Sequence, residues 1–382
     1  MTVRVPVRPE MLTWAHERSR LEPEDLFRRF KALPAWEEGA KQPTLKQLED
    51  FARATHTPVG YLFLSEPPAE PLPVPDLRTI GDVEIGHASP DLLDTMYQSQ
   101  QRQDWYRDYA RLNREAAVPF VGTLKVGDDV IAAASQIRDT LSFEPSERGS
   151  TWSQALSLLA ERAETNGVLV MVNGVVGSNT HRKLDPKEFR GFALADDLAP
   201  VVFINGSDTK AAQIFTLAHE LVHIWLGQSA VSDADLSRTS TNDIERWCNK
   251  VAAEFLLPAA DLDQYVLDRD EITEALEALA RRFKVSTLVA LRRLFDLRHL
   301  TFDEYRDAYT AELARVLALI EQRGSSGGNF YNTQPVRVSK RFARALIAST
   351  LEGDTLQRDA FQMLGFKKVS TFNDLAAQLG VA

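Results

Sequence analysis

Residues 215–227 read Phe-Thr-Leu-Ala-His-Glu-Leu-Val-His-Ile-Trp-Leu-Gly, and no other stretch restricts this chain as much. His219 and His223 are four residues apart. On a helix that spacing stacks the two imidazoles on one face, one turn above the other, where both can bind one metal ion. Glu220 is turned about 100° from the first histidine. It lies near such an ion without having to be a ligand, which suits a carboxylate that takes a proton from water. The reading requires a helix. A strand over Pro200–Asn205 ends at Gly206, and Ser207 or Asp208 can cap the helix after it. Ala211, Ile214, Phe215, Ala218, Val222 and Trp225 or Leu226 recur at helical spacing. Gly227 fits just past the C-terminus. The competing reading, two core histidines with a surface glutamate between them, leaves polar groups unpaired in an apolar run, which is costly.

A zinc site of this kind needs a third protein ligand. The third histidine of the metzincin pattern is excluded, because Leu226 and Ser229 stand where its Gly and His belong. A carboxylate from a second helix is the alternative. Residues 243–257 form an amphipathic helix, with Ile244, Cys248, Val251, Ala252 and Phe255 on its apolar side and Pro258 after it. Glu245 and Glu254 are nine residues apart and point about 180° from each other, so only one can face the metal. Glu245 lies nearer the stripe through Cys248 and Ala252 and is the chosen ligand; Glu254 is the alternative.

These two segments together resemble the ImmA/IrrE family of zinc metallopeptidases. The family's H-E-x-x-H-x-x-x-G matches His219–Gly227, and its E-x-x-x-N-x-x-A-x-x-x-L-x-P matches Glu245–Pro258, with Cys248 in place of the usual Ala before Asn249. The similarity runs from about Gly167 to about Leu297. It implies that His219, His223 and Glu245 bind Zn2+ and that Glu220 is the general base. It also implies that the substrate is a partner transcriptional regulator, cut in stress responses or mobile-element control. The implied fold is α+β: a zincin-like core of a small sheet plus active-site helices, flanked by all-α N-terminal and C-terminal domains.

The 382 residues suggest two or three domains. A single cysteine, Cys248, excludes a disulfide framework and suits a reducing cytoplasm. No apolar run is long enough to span a membrane, and no signal-peptide core is present. A soluble cytoplasmic protein is expected. The net charge is −10; residues 1–64 hold 10 basic and 9 acidic side chains, residues 324–382 hold 7 and 4, and residues 65–323 carry the acidic excess. No part has the basic footprint of an autonomous DNA binder.

In chain order, residues 1–64 read as a helical domain with helices at Pro9–Ser19, Pro23–Phe30, Thr44–Thr55 and Pro58–Leu64. Trp36-Glu37-Glu38-Gly39 with Pro43 resembles the closing half of the phage-repressor-type (XRE) helix-turn-helix. The space before Trp36 is about one helical turn too short for the recognition helix and contains Pro34. This argues against specific DNA binding and for a scaffold or docking role. Residues 65–80, with five prolines, read as an extended linker, and 81–166 as a helical segment. The peptidase domain is assigned to 167–300, with Val201–Asn205 near the sheet edge, where an extended peptide could add as a strand. Residues 229–242 read as a polar loop. His181 and Arg182 could stabilise an oxyanion or be an exposed loop pair. A helix at 301–323, a Gly/Ser break at 324–328 and a small helical module at 329–382 complete the chain. Lys340, Arg341 and Arg344 of that module form a solvated basic face or a docking surface for an acidic partner.

Taken together, the expected function is a zinc endopeptidase acting on a repressor or antitoxin-like protein. The alternatives are a non-cleaving antitoxin-type binding protein and a helix-turn-helix transcriptional regulator.

Overall fold

The protein is described by a computed structural model covering residues 3–77, 88–232, 242–262, 271–322 and 336–381. Contacts divide these into two compact units, residues 3–73 with 88–96, and 74–77 with 97–381.

The first unit is helical: Pro9–Ser19, Pro23–Arg29, Leu33–Glu37, Leu45–Ala54 and the 3-10 turn Val59–Phe63. Prolines begin the first two helices, where the missing N–H costs nothing. A capping box between Thr44 and Gln47 begins the fourth. Met11, Leu12, Leu26, Trp36, Leu48, Phe51 and Leu62 form its core. The five-residue helix around Trp36 comes directly after the second helix.

The second unit is built on a four-stranded mixed sheet in the order β1 (Leu169–Asn173), β5 (Val201–Asn205), β4 (Gly191–Leu194), β6 (Ala230–Ser232). β1 runs parallel to β5, and β4 runs antiparallel to both β5 and β6. β2 (Val175–Val176) and β3 (Asn179–Lys183) make a separate hairpin. Two expectations are corrected. Val201–Asn205 is an interior strand, flanked by β1 and β4, with all five residues buried. Its unbroken apolar run, without alternation, is what burial on both faces demands. And Ala230–Ser232, read as loop, is the strand β6; three residues are too few to display a period of two. Residues 233–241 of that expected loop, the 324–328 break and linker residues 78–80 lie outside the described residues.

Helix Lys210–Leu226 crosses the sheet against β4 and β5, and helix Asp243–Leu256 packs on it and on helix Val130–Leu141. One apolar core, including Ile214, Leu217, Leu221, Trp225, Val251 and Phe255, joins them. Further helices follow at Ile272–Phe283, Thr287–Asp296 and Phe302–Gln322, then at Lys340–Glu352, Gln357–Leu364 and Val369–Leu379. Helix Lys340–Glu352 lies beside β1. Of the basic residues on it, Arg341 is turned inward, donating to the Tyr106 hydroxyl at 2.7 Å and to Glu115 at 3.0 Å. Among the described residues no helix is long and apolar enough to cross a membrane.

Candidate metal centre

The helix that carries the two histidines begins at Thr209, whose side chain accepts from the Ala212 N–H, rather than at Ser207 or Asp208. It ends at Gly227, whose φ of 66° is a left-handed conformation that glycine adopts without strain. Fourteen successive residues from Gln213 to Leu226 are buried, so His219, Glu220 and His223 sit inside the core. Glu245 lies in the first turn of the facing helix, which Asn242 caps by accepting from the Ile244 N–H. A carboxylate there is favoured by the helix dipole.

The two histidine rings and Glu245 converge. His219 Nε2 and His223 Nε2 are 3.2 Å apart; Glu245 Oε1 is 3.1 Å from His223 Nε2 and Oε2 is 3.2 Å from His219 Nε2. These three residues make the one cluster of metal-capable side chains among the described residues. The geometry fits a metal. Donors bonded to a tetrahedral zinc at about 2.0–2.1 Å stand about 3.3 Å from one another, close to the observed spacing. The electrostatics fit as well. Burial works to raise the Glu245 pKa, but the rings of His219 and His223 beside it hold it down, at about 2, so the carboxylate is ionised. Nδ1 of each ring is buried without a partner. Nε2 is the nitrogen that each ring turns toward Glu245. Asn249, one turn after Glu245, sits beside His219.

Glu220, next to His219 on the same helix, lies close enough to His219 and Glu245 to feel their charges. The Ser232 hydroxyl donates to Oε1, while Oε2 is buried and has no partner. Burial pushes its pKa up to about 8. An oxygen left open beside a metal-binding cluster can receive a proton from water. Glu254 is used elsewhere. It forms a buried ion pair with Arg293 and accepts from the Ala259 N–H, which takes it away from the cluster. His181 and Arg182 fall on β3 of the separate hairpin, with His181 exposed, and are not among the converging groups.

Two supporting residues were not read from the sequence. Ser232 reaches Glu220 because β6 pairs with β4, placing Ser232 opposite Gly191. Gly191 itself makes room for the helix: a Cβ there would stand 2.7 Å from Thr216 Cγ2, 2.9 Å from the Phe203 carbonyl oxygen and 3.1 Å from Glu220 Cγ. A glycine that opens an apolar strand is a weak sign of such close approach. Ser232 carries no local signal.

Residues 163–295 match the family model of the IrrE N-terminal-like domain, Peptidase_M78, a metallopeptidase family. The match covers the whole converging site and agrees with the span over which the sequence resembles the ImmA/IrrE peptidases. Residues 338–378 match a domain of unknown function (DUF8813). None of the curated proteins matches the chain.

Proposed function

From a domain of the IrrE N-terminal-like family, we propose that this chain is a cytoplasmic zinc-dependent endopeptidase that cuts a partner regulatory protein, a repressor or an antitoxin-like protein, in stress response or mobile-element control. The observation that carries the reading is the convergence of His219, His223 and Glu245 at 3.1–3.2 Å with the free oxygen of Glu220 alongside. His219 Nε2, His223 Nε2 and the Glu245 carboxylate would hold the ion. Bound zinc supplies Lewis acidity, polarising a carbonyl and lowering the pKa of water toward about 7. Glu220 takes the water proton on Oε2 and passes it to the leaving amine. Ser232 holds the other oxygen of Glu220 and so sets its direction. His181 and Arg182 have no assigned part.

The test is co-expression of the chain with candidate partners, namely any transcriptional regulator or antitoxin-like protein encoded next to it. The wild-type chain is expected to shorten one such partner, and Glu220→Gln is expected to abolish the cut while keeping zinc. A Glu220→Gln chain that cleaves at the wild-type rate would remove the assigned base.

A further inference from the structure

The sheet edge nearest the candidate site is already occupied by the chain itself. β6 is the strand at one end of the sheet, and its inner side pairs with β4, Val231 standing opposite Phe192. On its outer side the Val231 N–H donates to the Pro75 carbonyl at 3.0 Å, and the Leu77 N–H donates to the Val231 carbonyl at 2.9 Å. Asp76 thereby forms a parallel bridge to Val231. Both backbone groups of Val231 on that side are spent on this short segment. The next residue, Ser232, is the one that holds Glu220. A chain at this edge therefore lies one strand spacing, about 4.8 Å, from the strand that touches the assigned base.

The segment is suited to block an edge and not to extend it. Pro73 and Pro75 have no N–H to donate. Leu72, Val74 and Leu77 are half-buried, while Pro73, Pro75 and Asp76 are exposed. An incoming extended peptide needs the same two groups of Val231 to join the sheet.

We propose that Pro75–Leu77 occupy the strand position that an extended segment of the protein substrate takes, so that the chain in this form blocks its own docking edge and a partner segment binds by displacing them. The proposal rests on the peptidase reading of the neighbouring site. The partner it fits is a protein segment in extended form with a free N–H and a free carbonyl opposite Val231.

The experiment uses full-length chains that all carry Glu220→Gln, so that binding does not depend on turnover. The probe is a fluorescein-labelled synthetic peptide of residues 70–80, monitored by anisotropy. Leu77→Pro removes the donor to Val231. A second variant, with Val74–Leu77 replaced by Gly-Ser-Gly-Ser, removes the apolar anchors without a proline in the ladder. Melting curves show that each is folded, and zinc content is measured on the same samples. Because the apparent affinity falls with the fraction of chains whose edge is open, both variants are expected to bind the peptide at least ~10-fold more tightly than the chain with its own segment intact. Equal affinity in all three chains, or binding in none, would overturn the proposal while leaving a zinc site in place. A gain in binding without any zinc would instead sink the peptidase reading and leave the self-blocking segment standing.

Discussion

Substitution of the four central side chains is expected to separate their roles. His219→Ala, His223→Ala and Glu245→Ala each remove one of three converging donors. Each is expected to cut metal retention by about 100-fold or more, read as metal per chain after dialysis against a weak chelator. Glu220→Gln keeps the donor set and should keep the ion while lowering turnover by about 10²–10⁴. Retention should also fall as the pH drops, because protonated rings cannot ligate; burial works to lower the His219 pKa, but the ionised Glu245 beside it lifts it above the usual imidazole value, so this ring takes up a proton before His223, whose pKa burial lowers. Gly191 is a second kind of test. Its substitution by alanine forces a contact of 2.7 Å with Thr216 and 3.1 Å with Glu220. We expect Gly191→Ala to cost about 1–3 kcal/mol in denaturant unfolding and to reduce turnover by displacing Glu220. A fully active Gly191→Ala chain of normal stability would show that the helix is not held so closely.

Among the elements, helix Asp243–Leu256 decides which carboxylate meets the histidines. Its Glu254 lies on the far side, paired with Arg293, both side chains almost wholly buried. Glu254→Ala is expected to destabilise the fold by about 3–5 kcal/mol, since it leaves a buried guanidinium without its partner, yet the surviving folded chain should hold its metal. Loss of metal with unchanged stability would make Glu254 the ligand. The contrast also marks how far the sequence reaches. The two helices that carry the cluster are legible because periodicity and spacing are local, and the opposed directions of Glu245 and Glu254 come from helix geometry alone. In the sheet, Val201–Asn205 is legible as a strand but not in its place. Val201–Asn205 is expected at an edge and is interior, and Ala230–Ser232 reads as loop but is a strand. Strand order is set by which distant segments pair, and no single run of residues records that. Ser232 and the Pro75–Leu77 segment are hidden for the same reason: each matters only through its neighbour across the sheet.

For the molecule as a whole, the second unit covers one margin of its sheet with its own chain, a common device against unwanted pairing. Residues 75–77 cover β6, and helix Lys340–Glu352 lies beside β1. That C-terminal helix is anchored by polar contacts as well as packing: Ser339 donates to Glu164 at 2.6 Å, and Arg341 joins Tyr106 and Glu115. Phe342 meets the Trp105 ring edge-on at 5.5 Å. Truncation after residue 335 is therefore expected to lower Tm by at least about 5 °C while metal content per chain stays unchanged, since no donor comes from that module. An unaltered Tm would make the module an independent appendage. The most direct measurement is diffraction from crystals of the zinc-loaded chain at the zinc absorption edge. One anomalous peak is expected, about 2.0–2.2 Å from His219 Nε2, His223 Nε2 and a Glu245 carboxylate oxygen. A peak held by other residues, or no peak among these three in crystals grown with zinc, would contradict the assignment.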